Sequence, residues 1–197
     1  MRLSLLRRVL AGLLAAGLAA TLTDAVRSAE PSVDELLDQA KQEADQQKPL
    51  AALHAVRDAY DQLWADSPLF LTQALFTKES AIGYGHYDPK PDPNFSQADP
   101  LYVYIEPAGY GFQFDGALYR FGFVVDIAVL DATGKEKGGA KDFTNFDYVK
   151  RTANKEIELN FVMQPLKLPA GDYQLKLTIN DKVKNQSVEQ SLPFTIK

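Results

Sequence analysis

From Leu101 onward, apolar residues recur at every second position, and this period of two limits the fold more than any other feature of the chain. Leu101, Val103 and Ile105 alternate with Tyr102 and Tyr104. Phe121, Phe123, Val125, Ile127 and Val129 alternate with Gly122, Val124, Asp126 and Ala128. Ile157, Leu159, Phe161 and Met163 form a third run, Tyr173, Leu175, Leu177 and Ile179 a fourth, and Leu192, Phe194 and Ile196 a fifth. Successive side chains of a strand point to opposite faces, so each run describes a strand with one buried and one solvated face. Turn signals separate the runs: Asp115-Gly116, Thr133-Gly134, Pro169-Ala170-Gly171-Asp172 and Asn180-Asp181. The pattern predicts about eight strands, near 70–78, 100–106, 109–115, 118–131, 140–148, 155–164, 172–180 and 187–196. Short strands at regular spacing with no helix between them predict two stacked antiparallel sheets, a β-sandwich over residues 68–197. The chain contains no cysteine, so no disulfide can stand in for a core.

Residues 29–67 follow a different period. Ser32 and Glu35 have the spacing of a capping box, in which each side chain satisfies an orphan amide at a helix start. Val33, Leu36, Leu37, Ala40 and Ala44 then recur at helical spacing. Lys48-Pro49 breaks the run, and proline suits the first turn of a second helix. The expected apolar stripe of that helix is Leu53, Val56, Tyr60, Leu63 and Trp64. Neither helix is long enough to be stable alone. Each must cover its stripe with the other helix, the sandwich or a partner protein. His54 is read as a flank residue of this helix.

The first 28 residues read as a secretory signal. Arg2, Arg7 and Arg8 give a basic start, and the uncharged run Val9 to Leu22 is 14 residues long. A helix that crosses the ~30 Å hydrocarbon core needs about 20 apolar residues, so a cleaved signal fits better than an anchor. Small residues place the cut between Ala25 and Ala29. Lipid attachment is excluded by the missing cysteine. No membrane span is expected once the signal is removed. Residues 1–28 hold four Arg and one Asp, which leaves 17 basic and 25 acidic residues in the remainder. That acidic balance excludes nucleic acid as a partner, because phosphate binding rewards clustered Lys and Arg.

The stretch Leu168-Pro-Ala-Gly-Asp-Tyr173-Gln-Leu-Lys-Leu-Thr-Ile179, followed by Leu192-Pro-Phe-Thr-Ile196, resembles the closing hairpin of bacterial immunoglobulin-like sandwiches. Leu130-Asp-Ala-Thr-Gly134-Lys is similar to their strand turn. Residues 102–196 together resemble a group of uncharacterised exported proteins from proteobacteria. The resemblance implies a mainly β chain: an antiparallel immunoglobulin-like β-sandwich behind a short α-helical hairpin. It supplies no catalytic or binding residues, and fold does not imply function.

No catalytic constellation is apparent. Nucleophilic catalysis needs a base beside the nucleophile, and the chain has two His and no G-x-S-x-G. Ser80 and Ser96 flank His86 without a spacing that ties them to it. Glu106 and Asp126 are the pair of acids that a carboxylate-dependent hydrolase would use. Asp88, Asp92 and Asp99 offer calcium-type oxygens, but at no EF-hand spacing. No cofactor is implied. Asn185-Gln186-Ser187 matches a glycosylation sequon and is read as a hairpin turn.

The segment 81–99, A-I-G-Y-G-H-Y-D-P-K-P-D-P-N-F-S-Q-A-D, breaks the strand pattern. A loop this long is unusual in a compact domain and is often functional. Tyr84, His86, Tyr87 and Phe95 lie on its proline-stiffened course, so they are the candidate contacts for a ligand or partner. The alternative is that these rings pin the loop to the body. The sequence thus points to an exported, periplasmic or secreted, non-enzymatic protein that meets another envelope protein. A carbohydrate or cell-wall fragment is the second reading and a carboxylate hydrolase the third. Oligomeric state is not legible.

Overall fold

A computed structural model describes residues 30–164 and 166–197. The predicted signal and its cleavage site lie outside the described residues. Two helices, α1 (Val33–Asp45) and α2 (Pro49–Asp66), precede nine described strands. These are β1 (Phe70–Thr77), β2 (Asn94–Phe95), β3 (Leu101–Ala108), β4 (Gln113–Phe114), β5 (Tyr119–Asp131), β6 (Glu136–Lys150), β7 (Leu159–Met163), β8 (Gly171–Asp181) and β9 (Ser187–Ile196). One sheet runs β1-β3-β7; the other runs β2-β9-β8-β5-β4, with β6 also paired to β5. Every ladder is antiparallel except the short β2–β9 pair.

The chain is therefore mainly β, an antiparallel sandwich preceded by a helical hairpin. Period two explains the core. Leu101, Val103 and Ile105 of β3 and Leu159 of β7 share one cluster with Phe123, Val125, Leu175, Leu177, Ile179 and Phe194 of the larger sheet. The inner faces of the two sheets meet there, and their alternate residues form the two outer faces.

Strand boundaries depart from expectation where side chains do not follow the ladder. The strand expected at 109–115 shrinks to Gln113–Phe114, because Tyr110 turns fully into the core and Gly111 packs against Val183. β6 outruns its expected 140–148 because it follows β5 along most of that strand's length, from Lys150 back to Glu136. Its first half, E-K-G-G-A-K-D, is exposed and carries no alternation to read.

The hairpin forms with the expected caps. The Ser32 backbone N–H donates to Glu35 Oε2 at 2.8 Å, the Glu35 N–H donates to Ser32 Oγ at 3.3 Å, and Pro49 opens α2. Its buried seam uses two of the residues predicted for α1 and differs from the stripe predicted for α2. Leu36 and Ala40 of α1 and Ala52, Ala55 and Ala59 of α2 are the buried residues. Small side chains let the two helix backbones approach, and on α2 that places alanine rather than leucine inside. From the stripe predicted for α2, Trp64 alone is buried, and it joins the sandwich core. Its indole Nε1–H donates to the Tyr110 carbonyl at 2.8 Å, and its ring meets the Tyr110 ring edge-on at 5.0 Å. Lys184 Nζ ties the same end of α2 down by donating to the carbonyls of Ala65, Ser67 and Gly109. Leu53, Val56, Tyr60 and Leu63 remain 63%, 47%, 48% and 50% exposed.

Candidate functional site

The outer face of the β1-β3-β7 sheet carries Tyr104 and Glu106, because both lie out of phase with the core residues of β3. Alternation predicts a solvated face, yet both side chains are buried. The 81–99 loop covers them. It leaves β1 and returns beside it: the Lys78 N–H donates to the Asp88 carbonyl, and the Lys90 N–H to the Phe76 carbonyl, each at 2.9 Å. Its tip is a tight turn in which the His86 N–H donates to the Gly83 carbonyl at 2.9 Å. Gly85 sits there at φ 67°, a conformation that favours glycine.

Three anchors hold the tip to the sheet. The Tyr104 hydroxyl accepts from the Gly85 N–H at 2.7 Å and donates to Glu106 Oε1 at 2.5 Å. The Tyr87 ring lies 4.1 Å from the Tyr104 ring, centroid to centroid. Asn160 Nδ2 donates to the Ala81 carbonyl at 2.8 Å. Thr72 Oγ1 adds a donor to Glu106 Oε2 at 3.2 Å, so the buried carboxyl has a partner on each oxygen. Burial, and next the Glu106 hydrogen bond, raise the Tyr104 hydroxyl pKa well above the ordinary tyrosine value. The group therefore stays protonated and remains a donor.

The four loop candidates do not share one surface. Tyr84 and His86 are exposed at the tip. Tyr87 is half-buried under its stack with Tyr104. Phe95 must be withdrawn as a contact residue: it is buried, packed edge-on to Phe76 at 5.3 Å and Phe194 at 6.2 Å. Residues 94–95 pair with β9, which draws the Phe95 ring into the core. Pinning thus accounts for Tyr87 and Phe95, while Tyr84 and His86 face outward. Sequence reasoning missed Ile82, which is 77% exposed beside Tyr84, and it missed the Tyr104 anchor. Tyrosines in place of charges on the supposedly solvated face of β3 were the available signal.

The other candidates resolve into structural roles. Asp126 lies on the outer face of the larger sheet and Glu106 on the outer face of the smaller one, so no cleft contains both. Asp126 Oδ1 accepts from the Asp142 N–H at 2.8 Å, and its Oδ2 accepts from Lys141 Nζ at 3.0 Å. The Asp142 amide foremost, with Lys141 and Asn180, holds the Asp126 carboxyl below the ordinary carboxylate pKa. That acid secures a β6 irregularity in which Asp142 has φ 50°. Asp88 pairs with Lys78, Asp92 accepts from the Asn94 amide, and Asp99 accepts from the Ser96 N–H. Among the described residues no group of three or more His, Cys, Asp and Glu is placed to hold a metal ion. Asn185, at φ 54°, lies in the turn between β8 and β9. Among the described residues no helix is long and apolar enough to cross a membrane.

No family model and no curated protein matches the chain. Several solved structures are similar over part of it, the following two among them. CopC from Methylosinus trichosporium OB3b shares 22% identity over 66% of this chain and 93% of its own, with a TM-score of 0.33. The alkylpurine DNA glycosylase AlkC of Pseudomonas fluorescens, bound to DNA containing an abasic site analogue, shares 10% identity over 84% of this chain and 46% of its own, with a TM-score of 0.35. Superposition at this level transfers neither fold nor activity.

Proposed function

We propose that the protein is exported to the periplasm or beyond, has no catalytic machinery, and meets a partner protein of the envelope through the tip of the 81–87 loop. One observation carries this reading. Ile82 and Tyr84 stand 77% and 43% exposed on a turn whose base is fixed by the Tyr104–Glu106 pair and the Tyr87 stack. A turn whose backbone is fixed before binding has less left to order on binding. Tyrosine adds a hydroxyl that can answer a polar group on the partner. Export rests on the basic start and apolar run of residues 2–22, and on the resemblance to uncharacterised exported proteobacterial proteins. A glycan platform asks for several aromatic rings exposed together, and of the loop's four ring residues Tyr87 is half-buried and Phe95 buried, which leaves Tyr84 as the one exposed aromatic beside the His86 imidazole. That favours a protein partner over a carbohydrate.

A photo-crosslinking residue at position 84, activated in intact cells, tests the proposal. The expected result is one discrete adduct, identified by mass spectrometry and absent when the probe stands at Gln190 on the opposite sheet. The absence of a position-specific adduct would sink the reading. Stabilisation by glycans in a thermal-shift screen would transfer the site to the carbohydrate reading.

A further inference from the structure

We propose that the helical hairpin pairs two copies of this chain, face to face, as a four-helix bundle. The exposed large apolar residues of α2 are Leu50, Leu53, Val56, Tyr60 and Leu63, and the last four are spaced three, four and three apart. This is the alternation of a heptad seam, whose shape complement is another helix. Beside the ridge lies an open groove of about 750 Å³ between the two helices, whose floor and walls are Ala40, Ala44, Pro49, Ala52, Leu53 and Val56, with Lys41 and Gln47 at its edge. Leu37, 47% exposed, lies one heptad before Ala44 and so extends the same face along α1. A leucine ridge beside an alanine groove is self-complementary. Under a two-fold axis, the ridge of each copy enters the groove of the other, which closes the assembly at two.

Area supports a second copy as the occupant. The five large side chains expose about 500 Å², near the top of what a soluble monomer leaves open as one patch. Two such faces, with their groove alanines, remove about 1,000–1,200 Å² from water, at the lower edge of stable specific interfaces. An interface of this size belongs to the weak, concentration-dependent class. The sandwich holds α2 through its last two turns, by Trp64 and Lys184 and by Lys155, which pairs with Asp61 and lies 4.7 Å over the Tyr60 ring, and it leaves Leu53, Val56 and Leu63 open.

Sedimentation velocity of the exported protein from about 2 to about 200 µM tests the pairing. The expected result is a mass that rises to twice that of one chain. Leu53→Glu with Leu63→Glu should hold the chain monomeric throughout, with an unchanged sandwich melting transition, because both side chains are exposed in one copy. A second readout does not depend on that variant folding. The chain has no cysteine, so Val56→Cys is a unique thiol. A bifunctional maleimide should join two copies through Cys at position 56, and should not do so for Gln174→Cys on the far sheet. A wild-type chain still monomeric at the highest concentration overturns the proposal and assigns the face to a different protein or to the segment before residue 30. A dimer that survives both glutamates, or equal cross-linking at positions 56 and 174, overturns it as well.

Discussion

Tyr104→Phe removes one oxygen and, by the argument above, loosens the loop tip without touching the core. The ring keeps its place against Tyr87. Two hydrogen bonds go: the one to Glu106 Oε1 at 2.5 Å and the one from the Gly85 N–H at 2.7 Å. Removing one partner of a buried polar atom costs about 1–3 kcal/mol, and Glu106 keeps the Thr72 hydroxyl at 3.2 Å, which favours the middle of that range. The Gly85 N–H lies at an open turn and regains water, so it adds little. The expected loss is about 2 kcal/mol, a fall in Tm of about 4–8 °C for a chain of this length. Urea melts measure the first quantity and amide hydrogen exchange at Gly85 the local opening. Both should change together. A loss under about 0.5 kcal/mol with unchanged Gly85 exchange would refute the claim that this pair holds the tip. A full loss with Gly85 still protected would confine the pair to supporting the sheet.

Two glycines with positive φ separate conformation from space. Gly109→Ala places a Cβ 2.2 Å from the Pro68 carbonyl oxygen at φ 72°, and should cost about 3 kcal/mol, whereas Gly116→Ala at φ 89° meets nothing and should cost about 1; equal costs in urea melts would refute the steric account. The Asp131 carboxyl accepts from the Thr133 hydroxyl and amide and from the Lys135 N–H, with the Thr133 hydroxyl the largest influence, and its pKa is lowered to about 2. The folded value lies below the unfolded one of about 3.9, so the ionised form stabilises the fold above that pH and loses its effect as pH falls towards about 2. The stability gap between wild type and Asp131→Asn should therefore close between about pH 5 and about pH 2, and a gap independent of pH would contradict the assignment. Trp64→Ala should cost about 3–5 kcal/mol and expose residues 33–66 to limited proteolysis before the sandwich is cut, and uniform resistance would show the hairpin to be held elsewhere.

The sandwich was legible because period two needs no knowledge of tertiary contacts. Phe123, Val125 and Ile127 point one way whatever covers them. The helix caps at Ser32 and Pro49 were legible because they are local. The seam of the hairpin was not. Two overlapping stripes run along α2, one of alanine at 52, 55 and 59 and one of large residues at 53, 56, 60 and 63, and hydrophobicity ranks the wrong one as buried. Close approach of two backbones is a property of the pair, which one helix's sequence does not contain. The loop shows the same division. Its length and ring content marked residues 81–99 as unusual, but whether a ring faces outward depends on which strand it meets. Phe95 meets β9 and is buried, while Tyr84 sits where the chain reverses and stands clear.

The two surfaces proposed here make a joint demand. A single tip with Ile82 and Tyr84 is small beside the roughly 800 Å² that each partner contributes to a standard interface, so one copy should bind weakly. Pairing through the hairpin puts two tips on one particle. A partner that is itself repeated or fixed in the envelope then meets the second tip at high effective concentration, and residence rises without any new contact. Leu53→Glu with Leu63→Glu should therefore reduce the photo-adduct formed at position 84 in intact cells several-fold, although neither residue belongs to the loop. The same variant mixed with an isolated, monovalent partner should bind as the wild type does, because the tip itself is unchanged. Equal adduct yield from the monomeric variant would show that one tip suffices, and the hairpin would then serve some purpose other than avidity.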